Sequence, residues 1–76
     1  MKSINIKLPW PPENVKTFVS AVSKYPYDID LRAGRYVVDA KSLLGILSLD
    51  LSKPIAMEIY ADDCADLMAD IQPFIV

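Results

Sequence analysis

Few residues in this chain could do chemistry. Ser42 sits in Lys41-Ser42-Leu43-Leu44-Gly45, Cys64 in Asp62-Asp63-Cys64-Ala65-Asp66 with Asp70 following, and the cluster Pro9-Trp10-Pro11-Pro12-Glu13 precedes an apolar helical pattern. A serine hydroxyl can take a phosphoryl group or cap a helix, a thiol can attack an electrophile, and grouped carboxylates can hold a metal or exchange protons. Histidine, the side chain best suited to proton transfer near neutral pH, is absent. Asp63, Asp66 and Asp70 recur at i, i+3, i+7, the spacing of one helical face, so they predict a solvated surface rather than a metal or acid–base cluster. The lone Cys64 allows no disulfide within the chain and no cysteine–histidine metal set. Its aspartate neighbours oppose thiolate formation, although a helix N-terminus favours it. With no Ser–His or Cys–His pair and no glycine-rich phosphate loop, the sequence predicts no enzyme, no metal site and no cofactor.

Composition limits the remaining classes. The chain has 76 residues, 53% of them hydrophobic and 24% charged, which is too apolar for a disordered segment. One domain spanning residues 1–76 is expected, and a domain of this size buries only about 60% of the surface its unfolded chain exposes. The formal charge is −2, with the eight basic residues scattered, so no continuous positive surface is offered to nucleic acid. No apolar run approaches the roughly 20 residues of a membrane span, and Met1-Lys2-Ser3-Ile4-Asn5 lacks a signal-peptide core. A cytoplasmic address is the expectation.

The elements follow from two alternating hydrophobic periods. Ile4, Ile6 and Leu8 alternate with Asn5 and Lys7, the period of a half-buried strand, and the proline cluster stops it. Val15, Phe18, Val19 and Val22 then occupy one helical face, predicting a helix from about Pro12 to about Lys24, ended by Pro26. Ile29 and Leu31 alternate with charged residues, and Arg35-Tyr36-Val37-Val38 is rich in strand formers, predicting a hairpin in which Gly34 supplies a positive φ. Ser42 is the expected N-cap of a short helix containing Gly45, a residue that costs a helix roughly 1 kcal/mol relative to alanine and so marks a close backbone approach. Ile55–Tyr60 reads as a fourth strand, and Asp62 and Asp63 as the start of a last helix with Cys64, Leu67, Met68 and Ile71 on its apolar stripe. The order βαββαβα predicts an α+β two-layer domain, with helices on one face of a mostly antiparallel four-stranded sheet. The expected core is Ile4, Ile6, Phe18, Val19, Val22, Ile29, Leu31, Val38, Leu47, Ile59, Leu67 and Ile71.

Ser23-Lys24-Tyr25, Asp28-Ile29-Asp30-Leu31, Lys41-Ser42-Leu43-Leu44-Gly45 and Ile59-Tyr60-Ala61-Asp62 together resemble HPr, the histidine-phosphorylated carrier of the bacterial sugar phosphotransferase system. The resemblance covers roughly residues 15 to 72 without an insertion, and the Lys-Ser-apolar-apolar-Gly signature is intact. It implies the HPr-like open-faced sandwich. The family's Gly-Ile-His-Ala-Arg-Pro motif lies just before the first helix, and counting back from Ser23-Lys24 places its histidine on Pro11, its arginine on Glu13 and its proline on Asn14.

These replacements have chemical consequences. A tertiary amide nitrogen at Pro11 cannot hold a phosphoryl group, and Glu13 repels the oxygens that an arginine would neutralise. In the family's Gram-positive members the serine matching Ser42 is phosphorylated by a kinase and the product binds a transcriptional regulator, and a histidine-free branch keeps only that signalling. A phosphate at a helix N-terminus is favoured by the dipole, but N-capping alone accounts for Ser42 and is the preferred expectation, the more so because Glu13 would repel a phosphoserine nearby. In the family the short second helix and the loop before the first helix dock partners, which implies a docking face containing Trp10, Leu43, Leu44 and Leu47. Of these, Leu47 is expected to serve the core, while Trp10 and Leu43 fit either role. Two functions follow from the resemblance. One is an interaction or regulatory module that binds phosphotransferase-system proteins, a transcriptional regulator or a second copy of itself. The alternative is a degenerate phosphocarrier component placed in the pathway by homology.

Overall fold

Ile6 and Leu8 are both buried, and the strand that ends at Ile6, β1 (Lys2–Ile6), is the first element of a four-stranded sheet. The computed structural model describes residues 1–76. After β1 come α1 (Glu13–Val22), β2 (Ile29–Ala33), β3 (Tyr36–Asp39), α2 (Leu43–Leu47), β4 (Ile55–Ile59) and α3 (Ala65–Asp70), followed by a 3₁₀ turn at Gln72–Phe74. The strand order is β1-β4-β2-β3 and every pairing is antiparallel, so the expected mostly antiparallel sheet is wholly so. In the register, Ile4 faces Met57, Met57 faces Leu31 and Leu31 faces Val38, which puts one apolar row across all four strands on the helix side. The neighbouring residues Ser3, Glu58, Asp30 and Asp39 form a polar row on the other side.

The helices cover the apolar face with Val15, Phe18 and Val22 of α1, Ile46 of α2 and Leu67 of α3. Seventeen residues form one buried cluster, with no charged or polar side chain among them. Eight of the expected core residues are in it, and Ile4, Val19 and Val38 pack against it half-buried. Leu47 is the exception, 43% exposed, with Ile46 buried in its place. The reason is local. α2 has only five residues, and its rotation is set by Gly45, whose α-carbon faces the Val38 side chain and the Ser42 hydroxyl. A β-carbon there would lie 3.1 Å from Ser42 Oγ and 3.3 Å from Val38 Cβ, so the close approach expected of this glycine is present. Ile46 then points inward and Leu47 outward.

Turn chemistry sets the connections. Gly34 and Arg35 join Ala33 to Tyr36 in a two-residue hairpin loop, and Gly34 has φ of +60°, the conformation a side chain resists. Pro12 is the N-cap of α1, so the helix begins one residue later and ends sooner than the expected range. The last helix also begins later than expected: Cys64, not Asp62, is its N-cap, leaving only Asp66 in the first turn to meet the dipole. Cys64 is buried at that cap and joins the core. The chain closes with Ile75 bridging Ile6 at the outer edge of β1.

Candidate functional site

Pro9, Trp10, Pro11 and Pro12 cannot extend β1, because three of the four lack a donor N–H. The segment leaves the sheet and turns into α1, with a cis peptide bond between Trp10 and Pro11. Asn14 fastens it by donating its side-chain amide to the Pro9 carbonyl at 3.0 Å. This geometry leaves Trp10 85% exposed. Beside it lies a cavity of about 390 Å³ lined, with Trp10, by Leu8, Pro9, Pro11, Pro12, Val15, Leu47, Leu49, Leu51 and Ser52. Of the residues expected to share a docking face with Trp10, Leu47 lines this cavity and Leu43 and Leu44 do not. Leu43 is half-buried against the core, and Leu44, 82% exposed, is outside the cavity lining.

The start of α1 differs from a ready anion site. Pro11 and Pro12 have no N–H to offer. The Asn14 N–H donates to the Pro11 carbonyl at 3.0 Å and the Val15 N–H to the Pro12 carbonyl at 2.9 Å, so the tight first turn consumes both. Glu13 has the remaining backbone donor, beside its own carboxylate. The backbone donors of this terminus are thus mostly engaged.

Ser42 caps α2 as its position predicts, with Oγ accepting the Gly45 N–H at 3.2 Å and the backbone extended at φ −103°. It is half-buried, and the Ser42 N–H donates to the Asp39 carbonyl at 3.0 Å. The adjacent Lys41 ammonium reaches back to donate to the Tyr25 carbonyl at 2.7 Å, tying the loop before β2 to the start of α2.

The aspartates of α3 are more than a solvated face. Tyr25 donates its hydroxyl to the Asp70 carboxylate, and Tyr27 to Asp66 at 3.2 Å, while the two rings stack 5.9 Å apart. Lys24 adds an ion pair to Asp70 at 3.2 Å. Nothing local in the sequence signals these contacts, since the partners are separated by 39 and 45 positions. The Tyr25 phenol is pushed up to about 12, first by its hydrogen bond to Asp70, then by desolvation and the aspartate charges. Asp70 is held below its ordinary value, first by that same bond and then by Lys24. A phenol whose folded pKa lies above its unfolded value of about 10 lends stability below that pH, and the contribution disappears as pH rises through about 12. Tyr25→Phe is therefore expected to be less stable than the wild type at pH 7, with the gap closing between pH of about 10 and about 12. Urea unfolding of both proteins across that range measures it, and a gap independent of pH would count against the Tyr25–Asp70 bond.

Residues 14–75 match the family model described as the PTS HPr component phosphorylation site. The chain belongs to the HPr family of the phosphotransferase system. No curated protein sequence matches it. Among solved structures it is similar to HPr-C-His from Thermoanaerobacter tengcongensis, with a TM-score of 0.79 and 24% identity over 96% of this chain and 89% of that one. It also resembles the phosphocarrier protein HPr from Bacillus anthracis str. Ames, with a TM-score of 0.69 and 20% identity over 99% and 94% of the two chains. A third relative is the Bacillus subtilis catabolite repression containing protein Crh, a domain-swapped dimer, with a TM-score of 0.66 and 19% identity over 93% and 88%. At these identities the likeness is one of fold. The family match includes Ser42, Leu43, Leu44 and Leu47, and begins after Trp10, Pro11 and Glu13.

Proposed function

We propose that this chain is an HPr-family interaction module that works by docking and carries no phosphoryl group on histidine. The observation that supports it most is the pairing of a histidine-free sequence with an 85% exposed tryptophan on an apolar cavity. A carrier needs one nucleophilic ring nitrogen, and Pro11, at the position the family resemblance gives that ring, has none. Binding needs only shape and apolar area, and Trp10, Pro9, Pro11 and Leu47 supply both around the cavity. Glu13 beside this surface favours a partner that brings no phosphate of its own. Its partner in this reading is a cytoplasmic protein of the phosphotransferase system or a transcriptional regulator.

Ser42 belongs to the reading first as a cap, since its Oγ already accepts the Gly45 N–H. A phosphoryl group there would add negative charge next to Leu43 and Leu44, outside the lining of the Trp10 cavity, so capping remains the preferred role of Ser42 and a phosphorylation switch the secondary one.

Trp10 is the only tryptophan in the chain, so its fluorescence reports docking directly. On addition of a partner purified by its retention on the wild-type domain, the emission is expected to shift to the blue as the indole leaves water. A Trp10→Ala, Leu47→Ser variant, with its fold confirmed by circular dichroism, is expected to retain that partner at least about tenfold less, since interface tryptophans commonly carry about 2 kcal/mol or more. Equal retention by both proteins would exclude this face as the working surface.

A further inference from the structure

The two edges of the sheet are not protected alike. Along β1 the C-terminal segment covers the outer side: Ile75 bridges Ile6, and the Val76 N–H donates to the Asn5 carbonyl at 3.1 Å. β3 has no such cover: its residues Tyr36–Asp39 include no proline, lysine or bulge, and only its four-residue length and the charge of Asp39 blunt the edge. Tyr36 is 66% and Val37 44% exposed.

The ladder determines which backbone groups face outward. The Ala40 N–H donates to the Ile29 carbonyl at 3.0 Å, which makes that pair a hydrogen-bonded one. In an antiparallel ladder such pairs alternate with non-bonded ones, so Leu31/Val38 is bonded, while Asp30/Asp39 and Arg32/Val37 turn their N–H and C=O groups away from each other. For Val37 and Asp39 that direction is the free edge. The Asp39 carbonyl accepts the Ser42 N–H at 3.0 Å, which leaves the Asp39 N–H and both polar groups of Val37 without partners.

Charge gives this edge a preferred occupant. Glu58, Asp30 and Asp39 stand side by side across β4, β2 and β3, and like charges directly opposite one another repel. Arg32 pairs with Glu58 at 3.3 Å and the Tyr60 hydroxyl donates to Asp30 at 3.2 Å. Asp39, at the edge, receives only the Lys41 backbone N–H at 2.9 Å and forms no ion pair. Arg35, in the hairpin loop at the other end of the same strand, forms none either.

We infer that β3 is a self-association edge, pairing antiparallel with β3 of a second copy about a two-fold axis at Val37. In that register the two Val37 residues exchange both N–H···O bonds, each Tyr36 lies opposite Val38, and each Arg35 lies opposite Asp39, with the Asp39 N–H donating to the Arg35 carbonyl of the other copy. One strand thus carries both halves of a self-complementary pattern, as a two-fold interface requires. The next allowed register, with Val38 on the axis, sets Arg35 against Lys41 and leaves Asp39 opposite Val37, so charge selects the first. The contact is well below the roughly 1,200–2,000 Å² of a stable interface, which makes the dimer weak and populated only near millimolar protein. None of its residues lines the Trp10 cavity.

The test is a concentration series by backbone amide NMR up to about 1 mM, with two charge variants. The wild type is expected to show concentration-dependent shifts at Val37 and Asp39. Arg35→Glu and Asp39→Lys, each of which sets like charges together, are expected to weaken association by about fivefold or more. An equimolar mixture of the two is expected to recover it. In a mixed dimer the glutamate introduced in one variant faces the lysine introduced in the other, and the native Asp39 of the first faces the native Arg35 of the second. Absence of concentration dependence, shifts confined to the residues around Trp10 and Leu47, or a mixture no better than its components would each overturn the inference. Shifts around Trp10 alone would leave the docking reading standing while removing this one.

Discussion

Phe18→Ala is expected to remove about half of the folding stability of this chain. Phe18 is fully buried on the inner face of α1 and meets the Phe74 ring edge-on, with centroids 5.5 Å apart and planes at 87°. That contact joins the first helix to the 3₁₀ turn at the other end of the chain, so the truncation leaves a cavity bordered by two elements that local shifts cannot both close. Phenylalanine-to-alanine changes in such sites cost about 3–5 kcal/mol, within which the edge-on aromatic pair contributes about 0.5–1.5 kcal/mol. At roughly 0.05–0.15 kcal/mol per residue, a chain of this length has only about 4–11 kcal/mol in all. Urea unfolding followed by circular dichroism should show the midpoint falling by about half with little change in slope. A loss below about 1.5 kcal/mol would mean that α1 does not pack as described.

The second large effect is an absence of reaction. Incubated with phosphoenolpyruvate and the general kinase of the phosphotransferase system, this chain is expected to acquire no phosphoryl group. There is no imidazole anywhere in the sequence, Pro11 offers a tertiary amide nitrogen whose lone pair is delocalised into the carbonyl, and Glu13 places a negative charge beside the start of α1. The first turn of α1 adds to this, because the Asn14 and Val15 N–H groups that could bind phosphoryl oxygens are donated to Pro11 and Pro12. Intact-mass spectrometry before and after incubation, with a histidine-bearing HPr as positive control, makes the measurement. An acid-labile, base-stable adduct on this chain would sink the proposal that it is not a carrier, whatever residue held it.

What the sequence determined by itself was everything governed by short range. Alternation at Ile4 and Ile6 and at Ile29 and Leu31, the i, i+3, i+4, i+7 spacing from Val15 to Val22, and Gly34 between two strand-forming runs fix element type because side-chain direction repeats with the backbone period. Ser42 as a cap and Gly45 as a point of close approach were legible for the same reason, since the Oγ of an N-cap reaches a backbone N–H only three residues on. The absence of histidine needed no structure at all. Leu47 was not legible: in a five-residue helix the apolar pattern Leu43, Leu44, Ile46, Leu47 fits more than one rotation, and only the seating of Gly45 against Val38 turns Ile46 in and Leu47 out. The same holds for the sharing of one cavity by Trp10 and Leu47, and for the tyrosines that claim Asp66 and Asp70. In each case residues far apart in the chain are brought to one place because the β1-β4-β2-β3 order folds the segments between them over the sheet. Side-chain type shows that a residue can bond or pack, but which neighbour it meets is decided by tertiary packing, where every buried apolar side chain must be accommodated at once.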